Sequence, residues 1–426
     1  MSDSSPSPAP QPDDAPPDPA RLDPDALDLV IVGGGLAGGL LALALTRMAP
    51  GIRFRLIEAG RVLGGNHRWS WFETDLAPQS AGLLGEFPLK SWDEGYDIAF
   101  PGYGRTLGTS YRSLASEDFH AHLADVLPDG SVMLGKRVAD LDAGGVTLAD
   151  GTRIAAKRVV DCRNFKPSDQ LAGGWQVFLG QHIRCHEPHG LTRPVIMDAT
   201  VDQLAPHGNG AAYRFVYVLP LSEDEVFVED TYYADHPRMD REQLASRTRA
   251  YARERGWRGE VIGSETGILP VISGGDFESV IEDLRIPGVA IAGSRGGFSH
   301  PLTSYTLPFA AANAREIAAL LCENPGTSAE ELAAFCEERA RRHWRETGFY
   351  RMLSRMLFEA ADPERRVQVF EHFYGLSGDL VERFYAGQST WPDRLRILSG
   401  KPPVAISRAM RAMISRGKPF RLEKTA

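Results

Sequence analysis

The chain has 426 residues, enough for two cores or for one large core with an appendage. Its 43% hydrophobic and 24% charged residues are those of a soluble globular protein, and a net charge of −9 argues against a general nucleic-acid binder. The four cysteines, Cys162, Cys185, Cys322 and Cys336, lie far apart with no CxxC pair. That spacing excludes a disulfide framework and a cysteine zinc site, leaves no metal site to expect, and points to a reducing compartment.

Residues 1–27 are rich in Pro, Ser and Asp and lack any aromatic residue, so they are expected to form a disordered tail. They also lack the basic start and apolar run of a secretory signal. The uncharged run Leu29 to Leu45 is short for a membrane span and is broken by five glycines. It has a better reading in "DLVIVGGGLAGGLLALALTRMAPGIRFRLIEAG". Leu29 to Val32 is a buried strand, Gly33, Gly35 and Gly38 fill G-x-G-x-x-G, Leu36 to Met48 is a helix, and "FRLIE" is a second strand ending in Glu58. The glycines permit a tight turn, close approach of the backbone to a pyrophosphate and close helix packing, while the helix N-terminus offers free N–H groups. Glu58 is placed to accept from a ribose 2′-hydroxyl. Together these predict dinucleotide binding.

Three further segments favour FAD over NAD. "GRVLGGNHRW" is glycine-rich and basic, and sets Arg68 near a second phosphate or the flavin. "VTLADGTRIAAKRVVDCRN" reads as strand, Asp150–Gly151 turn, strand, and an apolar strand ending in Asp161. Far downstream, "GVAIAGSRGGFSHPLTSYTLPFAAANAREIAALL" repeats strand, glycine-rich loop and long helix, with Gly293, Gly296 and Gly297 in the loop. This discontinuous layout resembles the FAD-dependent hydroxylase-like superfamily. The resemblance implies an α/β fold with a Rossmann-like FAD-binding domain made of 28–67, 130–165 and 266–325. An antiparallel-sheet substrate domain, 68–129 and 166–265, is inserted into it, and 326–426 forms a helical C-terminal region.

The inserted part contains aromatic-rich strands, "WQVFLGQHIRC", "AAYRFVYVLPL" and "EVFVEDTYY". In the last, alternation puts Glu229 on one face with Phe227, Thr231 and Tyr233, and Asp230 on the other with Val228 and Tyr232. A carboxyl in an aromatic-lined site has its pKa raised by desolvation; an edge strand would instead carry both as solvated charges. Residues 401–426 hold seven Lys or Arg against one Glu, with Met410, Met413, Ile414 and Phe420 interleaved. That pattern fits either a membrane-surface contact or a helical cap with a basic tail.

Several strings resemble bacterial-type lycopene β-cyclases, the carotenoid ring-closing flavoproteins. They are "LVIVGGGLAGGLLALAL", "NHRWSWF", "YRFVYVLPL" with "FVEDTYY", "RGGFSHPLTSYTLP", and the C-terminal "FYRMLSRMLF", "FYGLSGDLVERFYAG" and "DRLRILSGKPPV". Two positions depart from related patterns. Gly293 is followed by Ser294 where many flavoproteins of the wider superfamily carry Asp, and the paired acid before Thr231 is Glu229–Asp230 where plant relatives have two glutamates. The resemblance implies redox-neutral cyclisation of the ψ-ends of lycopene to β-ionone rings, through γ-carotene to β-carotene. It implies reduced FAD, with NAD(P)H as its indirect reductant. Glu229 is the expected acid, Asp230 either shares its proton or supports the strand, and His300 either tunes the flavin or the Glu229 network or only caps the helix that follows its loop. Tyr233, Phe227 and Trp71 are candidates for a π surface facing the cation. A hydrocarbon substrate implies a cytoplasmic protein, peripheral at the inner membrane surface; the sequence carries no signal for an oligomeric state. A flavin monooxygenase or isoprenoid reductase on the same fold, or a non-catalytic carotenoid-binding flavoprotein, are the competing readings.

Overall fold

The run Leu29–Val32 is wholly buried because its four apolar side chains form the middle of a parallel sheet. The computed structural model describes residues 27–203, 213–362, 365–399 and 406–420, so the tail expected at 1–27 lies outside the described residues except for Leu27. The sheet runs Val289–Ile291, Val159–Asp161, Leu29–Val32, Phe54–Ile57, Val132–Met133, with every pair parallel. The helix Leu36–Met48 covers it beside Leu307–Glu323. Small residues allow the approach: a Cβ on Gly38 would meet the Gly33 carbonyl oxygen at 2.0 Å, and one on Gly39 would meet the Phe119 ring at 2.4 Å. A three-stranded antiparallel ribbon, Val138–Asp142, Gly145–Leu148 and Arg153–Ala155, extends this half.

The second half is a seven-stranded sheet in the order Gly259–Gly275, Leu171–Cys185, Glu225–Ala234, Tyr213–Pro220, Val195–Asp198, Tyr96–Phe100, Tyr103–Leu107. Only the pairing of Val195–Asp198 with Tyr96–Phe100 is parallel. Glu225–Ala234 is therefore an interior strand, which rules out the solvated edge-strand reading of its carboxylates. The helix Arg241–Glu254 packs on one face of the sheet. On the other, the helical C-terminal region joins a shared aromatic core in which Tyr213 stacks on Phe370 at 4.3 Å between ring centroids. Phe420, near the end of the described chain, is buried against Trp175 at 4.8 Å.

Two domain boundaries shift. The boundary at 266 falls inside one continuous strand, Gly259–Gly275, because that whole run pairs with Leu171–Cys185 and belongs to the large sheet. The helix Ser116–Val126 lies in the stretch expected for the inserted domain, yet it buries Phe119 and Leu123 in the core of the nucleotide half.

Candidate active site

A cavity of about 1010 Å³ opens between the two sheets, running from the first glycine loop to the large antiparallel sheet. At the loop end it is lined by Gly33, Gly35, Leu36, Ala37 and Glu58. Gly33 takes φ +100°, in the left-handed region that glycine occupies without penalty, and this turns the chain from strand to helix. No side chain caps the helix start at Gly35, and the space beside its Cα is open to 4 Å, so the first-turn N–H groups face the cavity. The Glu58 carboxylate accepts the backbone N–H of Gly34 at 2.7 Å and of Gly60 at 2.6 Å, which fixes it at the cavity wall with acceptor capacity to spare. Arg163 and the late loop residues Gly293, Ser294 and Arg295 also line this region.

The donor set suits a large, polar, phosphate-bearing ligand. Among the residues lining the cavity, Trp175 Nε1, Gln176 Oε1 and Arg295 Nε are buried with no hydrogen-bond partner among the described residues. Buried polar atoms left unpaired cost about 1–3 kcal/mol each, and a ligand at this wall would satisfy them. FAD fits: glycine turn and helix N-terminus for its pyrophosphate, Glu58 for its ribose, and Arg295 with Gln176 for polar edges deeper in.

At the other end, strand register builds the chemistry. Tyr217, Glu229, Gly180 and Glu265 stand opposite one another on four successive strands. Residues in register share a face, and Tyr217, Glu229 and Glu265 all line the cavity. Gly180 leaves a gap in this row, and the Phe227 ring fills it: a Cβ there would lie 2.1 Å from that ring. Thus an aromatic face lies between two carboxylates. Glu229 is half-buried at the cavity wall, and its side-chain partner is the Thr231 hydroxyl, which donates at 2.7 Å. Burial, reinforced by the charge of Glu265 and then of Asp230, pushes its carboxyl up to about 8. Glu265 is buried and held differently: the Arg68 backbone N–H donates to it at 3.1 Å, and His67 Nδ1 lies 3.3 Å away. Tyr111 Oη lies 3.1 Å from Tyr217 Oη and 2.9 Å from Tyr305 Oη, and burial holds these phenols un-ionised.

Not every residue singled out in the sequence reaches this space. Asp230 is fully buried on the far face, where Arg214 grips it through Nε at 3.0 Å and Nη2 at 2.6 Å; strand alternation removes it from the cavity and gives it a structural ion pair. His300 is also fully buried. Its Nε2 lies 3.2 Å from the Phe384 carbonyl oxygen, and its Nδ1 accepts from the Leu302 and Thr303 backbones, so the ring pins a turn. Burial pushes it down to about 3, leaving it a neutral imidazole. Asp161 closes the strand end by a two-pronged pair with Arg163 at 2.8 Å and a longer one with Arg295 at 3.4 Å. It positions two cavity-lining arginines instead of lining the cavity. Gly38, Gly296 and Gly297 shape the turns behind the lining, whereas Gly33, Gly35, Glu58, Arg68 and Gly293 reach it. Trp71 is core, 2% exposed, while its neighbour Trp69 lines the cavity. Sequence reading passes over Glu265, His67 and the tyrosine trio. "GSETGILP" does contain an acid inside a strand-forming run, the signal that flags Glu229, but only register shows that both acids face one cavity.

A second, apolar pocket of about 130 Å³ shares Met197, Tyr233, Thr303 and Tyr385 with the large cavity. It continues among Leu353, Leu357, Ile397 and Leu398 of the helical region.

This two-sheet architecture with a glycine-loop cavity is the fold of FAD-dependent hydroxylases. The p-nitrophenol 4-monooxygenase of Pseudomonas putida DLL-E4 aligns with a TM-score of 0.57 at 16% identity, covering 85% of this chain and 99% of that one. The tetracycline destructase Tet(51) aligns with a TM-score of 0.53 at 12% identity, over 87% and 100%. Within that class the chain belongs to the lycopene cyclase protein family, whose model matches residues 28–411. The lycopene β-cyclase of Pseudescherichia vulneris is 42% identical over 389 residues, 91% of this chain and 97% of that protein. Those of Pantoea ananas and Paracoccus sp. (strain N81106 / MBIC 01143) are each 39% identical over 91% of this chain.

Proposed function

We propose that this chain closes β-ionone rings on the ψ-ends of lycopene, with Glu229 as the proton donor. The observation that carries the proposal is a carboxyl raised to about 8 and facing an aromatic-walled cavity that also holds a dinucleotide loop. Protonating an unactivated alkene requires an acid still protonated near neutral pH, and desolvation at Glu229 supplies one. The resulting tertiary cation would lie over Phe227 and near Tyr233, whose ring faces suit positive charge. Bound FAD, kept reduced by electrons derived indirectly from NAD(P)H, would supply negative charge beside that cation without net electron transfer. The long hydrocarbon would extend from the Glu229 end into the apolar pocket shared through Tyr233 and Tyr385.

Surface residues support a route for the substrate from the membrane. Trp391 is 69% exposed, Met410 63% and Ile414 86%, and they lie on two helices that also carry Arg394, Arg396, Arg408 and Arg411. No helix among the described residues is long and apolar enough to cross a membrane. Apolar side chains among cations suit an anionic lipid surface, so these helices would rest on the membrane beside the apolar pocket.

The test is expression in lycopene-accumulating cells followed by separation of the pigments. Monocyclic and bicyclic products are expected; unchanged lycopene in cells holding folded, flavin-loaded protein would refute the proposal. A steady consumption of NAD(P)H with each product would favour a monooxygenase or reductase.

A further inference from the structure

The acid end of the cavity contains two carboxyl groups, and the reaction needs two proton transfers. Ring closure consumes a proton at an alkene carbon. It ends when a C–H bond breaks, its electron pair forms the ring double bond, and the proton departs, so electrons balance without an oxidant. Glu229 accounts for the first transfer.

Glu265 stands in the same row, two strands away, with only Gly180 and the overlying Phe227 ring between. Its surroundings differ from those of Glu229. The Arg68 backbone N–H and the His67 ring converge on its oxygens, whereas the side-chain partner of Glu229 is a single hydroxyl. Two carboxyls held at one cavity by different partners are placed to divide acid and base roles. The His67 side chain is 50% exposed, so the pair Glu265–His67 leads from the cavity wall toward water.

We infer that Glu265 is the base: its carboxylate takes the proton released when the closed-ring cation becomes an alkene, and His67 passes that proton outward. The assignment rests on the cyclase reading above. It has a consequence that mere support of the strand would not have. The cationic carbon has hydrogens on three neighbouring carbons, and removal from each gives a different ring isomer. A base fixed at one place selects the β-ring; a missing or displaced base loosens the choice.

The experiment uses full-length, flavin-loaded protein, reduced anaerobically and given lycopene in liposomes. Ring formation per flavin and the double-bond position in the product are recorded for wild type, Glu265→Gln, Glu265→Asp and His67→Gln. Glu265→Gln is expected to lose about 10²–10⁴-fold in rate, with ring isomers other than β in the residual product. Glu265→Asp keeps a carboxylate one methylene further back and is expected to be intermediate in rate and mixed in product. His67→Gln should slow turnover while keeping β-rings. A Glu265→Gln protein making only β-rings at the wild-type rate overturns the assignment. If Glu265→Gln fails to load flavin, Glu265→Asp decides: mixed isomers support the base, and β-rings alone overturn it. Wild-type protein that makes no rings at all refutes the cyclase reading itself, which these variants do not test.

Discussion

At Glu229 a single substitution separates chemistry from architecture. Glu229→Gln keeps the shape and the Thr231 contact but removes the transferable proton, so β-ring formation per reduced flavin should fall by about 10²–10⁴-fold with flavin content unchanged. The pH dependence has a definite sign. The active form is the protonated acid, and burial pushes Glu229 up to about 8, so the rate should be level near neutrality and fall as pH rises through about 8. A profile flat to pH 9.5 (roughly 1.5 units beyond that value, where some 3% of the acid would remain) would remove Glu229 as donor. Its sequence neighbour should behave in the opposite way. Asp230→Asn leaves the Arg214 guanidinium buried without its counter-charge, which typically costs about 3–5 kcal/mol. Denaturant unfolding should report that loss, while ring formation per flavin stays close to wild type. A stable Asp230→Asn protein with lost activity would restore the shared-proton reading.

The glycine loop illustrates how one element carries two kinds of constraint. Gly38 is needed for the fold itself, because a side chain there would strike the Gly33 carbonyl oxygen. Gly35 has nothing within 4 Å and φ −71°, so Gly35→Val suits the protein alone but places a side chain where the backbone must approach a pyrophosphate. Gly35→Val should therefore fold with unchanged circular dichroism and purify without flavin. Wild-type flavin content in that variant would refute the placement of the cofactor at this loop.

On the scale of the whole molecule, the helix Trp391–Leu398 lends Ile397 and Leu398 to the apolar pocket, and both it and Ile406–Ile414 carry exposed apolar residues and arginines. Removing the tail would be a poor test of membrane contact, since Phe420 is buried on Trp175 and its loss would open the core. The surface double variant Met410→Asp and Ile414→Asp leaves that anchor in place. Its cosedimentation with anionic liposomes should drop several-fold, and wild-type binding should weaken with salt because screening reduces each cation's contribution of about 1 kcal/mol. Equal binding by both proteins at every salt concentration would favour the helical-cap reading.

Much of the nucleotide half is legible in the amino-acid sequence. Strand, G-x-G-x-x-G, helix and Glu58 are local in sequence, and their chemistry follows from short-range geometry that the glycines impose. Strand alternation likewise separates Glu229 from Asp230, because the two-residue period is a property of the backbone. Other features depend on which strands pair and in what register. Glu229 is an interior, desolvated acid only because Glu225–Ala234 lies between Leu171–Cys185 and Tyr213–Pro220. Glu265, 36 positions further along, is its counterpart only because both pair with Gly180. His300 is drawn inward by the Phe384 carbonyl, 84 residues away in sequence. Periodicity along one strand says which way a side chain points; what it meets there is decided by long-range pairing, whose partners lie tens to hundreds of residues apart.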